Sequence, residues 1–525
     1  MEILGLLADG IWIAIQPVNL GICVLGVVIG LFVGAMPGLG SVNGVAILLP
    51  TVFFIKQQTG SDAAPMIFLA AIYYGAMYGG AISSIMLGIP GASTAVATTF
   101  DGRPLALKGR AEQALVTAAV ASFIGGTVAN IFFTGFAPPL AEVALRFGNP
   151  EIFALMLLAF ATFVGLGGDD IPKTIISIIL GLICAAIGFD VIEGEPRLQF
   201  FDHIGFSRPI HFLVLAIGVY GVGEMLWTLN TTRGGSDMSK AEISLTRIKA
   251  AAGNTFREGW KGTSIGSSLG FFVGILPAAG ATPGSLMAYG VSKMTSKKPE
   301  EFGKGAIDGV AAPEAANNSA STGAMLPMMT LGIPGSPTTA VLLTGLVLLE
   351  LEPGPRLFVD QPDFVWPVIG SFYISNVIAV LVNLAFIPVF LWMLRMPFTI
   401  LAPIIFVLSV AGVYAATDRM FDVWLMFFFG LGAFLLRILQ YPLAPAALAI
   451  VLGAITEEKL RQSLQWSDGS LGIFFNPWFD RDGTGQAYWI APIIAWIAAI
   501  LLLLPLINKV RSMVRGRPKP QHWQG

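Results

Sequence analysis

Apolar residues in this chain gather in long runs, with polar positions collected into short stretches between them. A helix needs about 20 apolar residues to cross roughly 30 Å of hydrocarbon. Runs of that character cover 113–137, 151–166, 174–189, 209–229, 364–394, 397–414, 421–436, 442–456 and 488–507, and each is predicted as a membrane helix. The N-terminal stretch 1–17 reads the same way, since MEILGLLADGIWIAIQ lacks the basic start of a cleavable leader. Two hydrophilic stretches, 230–261 and 457–487, interrupt the series.

Composition agrees with a bilayer environment. Of 525 residues, 55% are hydrophobic and 12% charged, about half the roughly 25% charged residues usual in soluble domains. The 61 glycines and 33 prolines sit inside apolar runs, where close packing and broken helices use them. A formal net charge of −2 argues against nucleic acid as a partner. Cys23 and Cys184 give neither a disulfide framework nor metal-ligand spacing, and read as packing residues.

An internal repeat organises the chain. GLFVGAMPGLGSVNG at 30–44 aligns with GFFVGILPAAGATPG at 270–284, with seven identities at an offset of 240. LGIPG at 87–91 recurs at 331–335, offset 244, which sets Gly75 and Gly79 opposite Ser319 and Gly323. Positive charge in short loops gives orientation. The 230–261 stretch holds six Lys/Arg against three acids, whereas 457–487 holds three against five. The stretches 101–112 and 350–360, and 293–304 and 56–65, swap their charge in the same sense. The halves 18–229 and 262–456 are therefore expected to lie inverted, with 230–261 and the basic tail of 488–525 cytoplasmic and 457–487 periplasmic.

With both flanks of 262–296 on one side, and a first arm too short to cross, that segment is predicted as a re-entrant hairpin with its tip at 277–284. By symmetry 18–55 is a hairpin with its tip at 37–44. Each LGIPG then interrupts the following segment, 66–100 or 305–349. The expected fold is all-α, with about twelve transmembrane helices and two re-entrant hairpins in two inverted repeats.

Backbone that stops being helical inside a bilayer survives only where protein, water or ligand satisfies its polar groups. Half-helix N-termini at such breaks favour anions, and freed carbonyls hold small cations. The candidate substrate residues are Ser41, Asn43, Gly91, Ser93, Thr94, Thr282, Asn318, Ser319, Gly335, Ser336 and Thr338; the candidate cation ligands are Gly38, Gly40, Gly280, Asn317 and Thr322. Thr98, Ser285, Ser321 and Thr339 lie beside them. Small hydroxyl residues also serve plain helix packing, and glycines at the tips serve backbone geometry, so both readings stand.

Ionisable residues are sparse near the breaks. Glu314 reads as a buried acid or as a first-turn residue at the water interface. Asp190, Glu224 and Glu142 fall near helix ends and are expected to be solvated, and His203, His211 and His522 fall in or beside loops. Without a carboxylate–histidine relay, sodium is favoured over the proton as coupling ion. No phosphate-binding loop of the G-x-x-x-x-G-K-[ST] kind is present, and no nucleophile–base pair points to an enzyme.

At these motifs the chain resembles the large, TctA-type membrane subunit of the tripartite tricarboxylate transporters. The resemblance rests on GLFVGAMPGLG at 30–40, YYGAMYGGAISSIMLGIPG at 73–91, DGRPLALKGRAEQAL at 101–115, PEAANNSASTGAMLPMMTLGIPG at 313–335 and PGPRLF at 353–358. It implies a bacterial inner-membrane permease working with a small TctB-type membrane subunit and a periplasmic TctC-type solute-binding protein. It further implies carboxylate import on a cation gradient, sodium above all, no other cofactor, and an elevator-like motion.

Overall fold

The structure is a computed structural model that describes every residue except 1, 37–38, 167–169, 190–194, 199–203, 208–209, 211, 232–244, 278, 394–397, 480–488 and 515–525. Asp190, His203, His211, His522 and Gly38, together with part of each hairpin tip, lie outside the described residues. Regular structure is helical apart from a two-residue antiparallel ladder, Gly188–Phe189 with Pro196–Arg197.

The first half runs α1 (Glu2–Ala14), α2 (Pro17–Ala35), α3 (Gly40–Leu48), α4 (Thr51–Thr59), α5 (Ala63–Leu87), α6 (Val96–Leu105), α7 (Ala111–Ala144), α8 (Asn149–Leu166) and α9 (Ile171–Ala185). A composite helix follows, α10 (Phe212–Ala216) and α11 (Gly223–Thr231) joined by a π-helical turn at Ile217–Val222. After α12 (Leu245–Glu258) come α13 (Trp260–Ile275), α14 (Ala281–Thr295), α15 (Ile307–Leu331), α16 (Pro337–Leu348) and the short α17 (Arg356–Asp360). The chain closes with α18 (Pro362–Met393), α19 (Phe398–Thr417), α20 (Met420–Ile438), α21 (Leu443–Trp466), α22 (Gly472–Phe475) and α23 (Ile490–Val514).

Five helical stretches, 17–35, 63–87, 93–144, 362–390 and 420–438, are long and apolar enough to cross a bilayer, and six shorter apolar helices accompany them. The helices α3 and α4 reach the same criterion only as a pair bent by 57°. Each predicted span coincides with a helix over most of its described residues, but several of those helices are shorter than a bilayer is thick, and the span 174–189 runs beyond α9 into the strand Gly188–Phe189. Two further boundaries differ from the sequence reading. The 457–487 stretch is helical through Trp466, because α21 carries charged residues on its last turns. The 230–261 stretch holds the amphipathic α12, fastened to α7 by the Thr117 and Thr255 hydroxyls at 2.9 Å.

Two glycine seams hold the centre together. On α2, a Cβ placed at Gly30 or Gly34 would overlap the carbonyl oxygens of Ile72 or Ala76 on α5; in return, Gly75 and Gly79 lie on the carbonyls of Val27 and Leu31. On α13, Gly266, Gly270 and Gly274 lie in the same way on Ala312, Ala316 and Ala320 of α15. Ser319 donates to the Ser267 carbonyl at 2.5 Å where Gly75 meets Val27, and Gly323 meets Phe271 where Gly79 meets Leu31. These contacts follow the sequence offsets of 240 and 244. Small residues every fourth position let backbones touch, the packing that serves where lipid removes the hydrophobic drive between helices. Outside this core, Trp424, Phe428, Leu431 and Leu435 on α20 are exposed, as a bilayer-facing surface requires.

Candidate functional site

Each chain break is built around a left-handed glycine. Gly40 (φ 64°) and Gly280 (φ 66°) start α3 and α14, while Gly88 (φ 70°) and Gly332 (φ 71°) end α5 and α15. Such a conformation costs a Cβ-bearing residue energy and costs glycine little. Chain direction therefore changes at the same four repeat-related places, and a new helix begins just beyond each.

Those four helix starts meet. One cavity of 670 Å³ is lined by Gly40, Ser41 and Asn43 from the first tip and by Gly280, Thr282 and Pro283 from the second. The first GIPG region contributes Pro90, Ser93 and Thr94; the second contributes Ser336 and Thr338. The volume lies within the roughly 300–1,000 Å³ usual for small-molecule sites. Helix N-termini aimed into one space present partial positive charge and free N–H groups to it.

The breaks are tied crosswise. Ser41 on the first tip lies 2.9 Å from the Thr338 hydroxyl beyond the second GIPG, and Thr282 on the second tip lies 3.1 Å from the Ser93 hydroxyl beyond the first. Ser285 donates to the Thr94 carbonyl at 2.8 Å, and the Gly280 N–H to the Gly335 carbonyl at 3.0 Å. The side chain of Ser336 caps α16 by accepting from the Thr339 N–H, and the Tyr73 phenol stands 3.3 Å from it.

Not every sequence candidate reaches this space. Gly91 and Gly335 serve close backbone approaches, packed on Gly34 and Ala324. Ser319 lies in the α13–α15 seam. Asn317, Asn318 and Thr322 are buried behind the cavity in a polar layer among α5, α7 and α15. There Tyr74 donates to Asn130 Oδ1 at 2.6 Å and lies 2.6 Å from the Thr322 hydroxyl. Asn317 donates to the carbonyl of Met77, itself a cavity residue, and Asn318 donates to the Glu314 carbonyl. Both amide oxygens, Asn317 Oδ1 and Asn318 Oδ1, have no hydrogen-bond partner.

Glu314 is fully buried rather than interfacial. Thr98 donates to its Oε1 at 2.5 Å and Ser122 to its Oε2 at 3.2 Å, and no ion pair reaches it among the described residues.

Among the cavity residues that the sequence reading did not assign to the site are two charged ones. Glu224 on α11, expected to be solvated, is nearly buried and pairs with Arg437 of α20, and both line the cavity. The signal was an acid and a base in separate apolar runs, which no sequence spacing joins. Glu142, by contrast, is exposed.

An all-helical chain with bilayer-length apolar helices and a solute-sized chamber ringed by helix starts is a multi-pass membrane protein. The chain belongs to the tripartite tricarboxylate transporter TctA family, whose sequence profile matches residues 20–448. That is a family of transporters rather than enzymes, working in three-part systems on carboxylates. Among relatives, an Agrobacterium vitis protein described as an uncharacterized 52.8 kDa protein in the TAR-I ttuC' 3' region is 37% identical over 98% of both chains. A second from the same organism, described as an uncharacterized protein in the TAR-II ttuC' 3' region, is 36% identical over 46% of this chain and 96% of its own. No solved structure matches.

Proposed function

We propose that this chain is the permease subunit of a binding-protein-dependent secondary transporter that imports di- or tricarboxylates or related organic carboxylates. Its partners are a small TctB-type membrane subunit and a periplasmic TctC-type binding protein, and it sits in a bacterial inner membrane with its basic C-terminus in the cytoplasm. The observation that carries the reading is the meeting of four helix starts around one 670 Å³ cavity. A carboxylate there takes hydrogen bonds from Ser41, Ser93, Thr94, Thr282, Ser336 and Thr338 and is stabilised by the helix ends, each by about 0.3–2 kcal/mol. Matched contacts in the two glycine seams support two repeats, inverted by the loop-charge argument. Tips and breaks that touch one another support an elevator-like movement of the hairpin-bearing part as one body.

Sodium is the coupling ion in this reading. The unpartnered Oδ1 atoms of Asn317 and Asn318, buried beside Thr322, are oxygen ligands of the kind a dehydrated hard cation takes, with the Gly40 and Gly280 backbone at the tips. In proteoliposomes holding all three subunits, an inward sodium gradient is expected to drive labelled carboxylate uptake at constant pH. No accumulation with any carboxylate would refute the transport reading. Asn317→Ala is expected to raise the sodium concentration for half-maximal uptake about tenfold, the equivalent of about 1.4 kcal/mol; an unchanged value removes Asn317 from the site.

The buried Glu314 favours a second reading, proton coupling. Glu314→Gln separates the two, because it keeps the size of the side chain and an acceptor oxygen while removing its charge and its titration; one of the Thr98 and Ser122 hydroxyls then turns from donating to accepting. Under sodium coupling the variant still follows the sodium gradient. Under proton coupling its uptake loses its response to an imposed pH gradient.

A further inference from the structure

The cavity has a wall that the four breaks do not build. It comes from the π-turn at Ile217–Val222, α11 and α20, which contribute Tyr220, Glu224 and Arg437. Arg437 is the one basic residue and Glu224 the one acid among the described residues lining the cavity. Arg437 Nη1 donates to Glu224 Oε2, and the guanidinium lies over the Trp227 ring, 4.5 Å from its centroid. The side chains of Glu224 and Arg437 are 12% and 34% exposed.

This pair is incompletely satisfied. Glu224 Oε1 has no hydrogen-bond partner, and neither does the phenol of Tyr220, four residues earlier. A π-turn inserts an extra residue into the helical ladder, a distortion that frequently marks functional sites. A pair serving only to fasten α11 to α20 has no need of an idle acceptor, an idle donor and a place on a solute cavity.

We infer that Arg437 is the residue that reads a second carboxylate on the solute, and that Glu224 is its stand-in partner while the cavity is empty. This rests on the carboxylate-import reading above and deepens it. One carboxylate of the solute sits on the hydroxyls and helix ends of the breaks, and another replaces Glu224 on the planar guanidinium, which binds carboxylates bidentately. Trp227 holds the guanidinium plane in place during the exchange. Breaking a shielded ion pair is costly when one charge is left alone, and the Tyr220 hydroxyl is the donor at hand for the released Glu224 carboxylate. Solutes with a single carboxylate cannot make this exchange, so the pair selects for two or more.

The test is uptake of citrate, succinate and butyrate into proteoliposomes holding the complete transporter, with inward sodium and proton gradients both imposed. Arg437→Gln is expected to raise KM for citrate or succinate at least tenfold, and to raise KM for butyrate by a clearly smaller factor, since its single carboxylate rests on the breaks. Glu224→Gln removes the competing charge but keeps Arg437, and is expected to lower KM for the same solutes several-fold. Arg437→Lys, retaining charge without the fork, falls between wild type and Arg437→Gln. An unchanged citrate or succinate KM in folded Arg437→Gln overturns the inference and leaves the transport reading standing. So does a KM that stays or rises in Glu224→Gln, which decides the matter should the arginine variants fail to fold. Wild-type uptake of butyrate alone also overturns the inference, and wild-type accumulation of no carboxylate at all, these three included, removes the transport reading together with it.

Discussion

Replacing Asp101 with alanine is expected to lower stability by about 3 kcal/mol and to loosen the segment between α14 and α15. Asp101 on α6 is fully buried, and its Oδ1 accepts from the N–H groups of Gly303, Gly305 and Ala306 at 2.9, 2.6 and 2.8 Å. Its Oδ2 accepts from the Tyr289 phenol on α14 at 2.9 Å. A carboxylate accepting from N–H groups is worth about 1.5–3 kcal/mol per bond, and a buried donor stripped of its partner costs about 1–3. Two of the three N–H groups are only part-buried, and water entering the gap offsets some of that loss. The expected result is a lower thermal midpoint in detergent and faster tryptic cleavage at Lys297 or Lys304. Asp101→Asn, which keeps an acceptor oxygen, recovers much of the difference. An alanine variant as heat-stable and protease-resistant as the parent would show that these bonds hold nothing in place.

Gly34→Ala is expected to be nearly as damaging, although it adds a single methyl group. That methyl would overlap the Ala76 carbonyl oxygen, and backbone cannot swing aside as a side-chain end can. Forcing atoms into a packed interior costs about 1–3 kcal/mol, and the upper end applies where two backbones touch. Gly21, on the same helix α2, has nothing within 4 Å of its added methyl. Gly21→Ala therefore serves as control and keeps full stability, since alanine is the better helix former. Gly274→Ala is expected to repeat the Gly34→Ala loss, because Gly274 lies on Ala320 in the second seam. The measurements are the yield of monodisperse protein and its thermal midpoint; equal values for Gly21→Ala and Gly34→Ala would show that the seam yields to a methyl group.

Much of the site was legible in sequence because backbone geometry wrote it there. The duplicated glycines mark places where φ turns positive, and the polar residues next to them, Ser41, Asn43, Ser93, Thr94, Thr282, Ser336 and Thr338, follow the breaks into the cavity. Asn317, Asn318 and Ser319 carried the same signal of polarity in an apolar run, but they lie mid-helix, where the face decides the neighbour. A step of one residue, about 100° around the helix, separates a chamber wall from a helix seam. The Glu224–Arg437 pair was illegible for another reason, since its members come from different helices and only tertiary packing unites them. Asp101 belongs to the DGRP motif, yet three of its partners are backbone N–H groups that leave no mark on residue identity, and the fourth, Tyr289, is 188 residues away.

The crosswise hydroxyl contacts carry a further consequence. Ser41 reaches Thr338, and Ser93 reaches Thr282, so each tip is tied to the chain break of the other half. Loss of either hydroxyl pair would therefore slacken one tie between the two halves and leave the other in place, together with the Ser285 and Gly280 bonds.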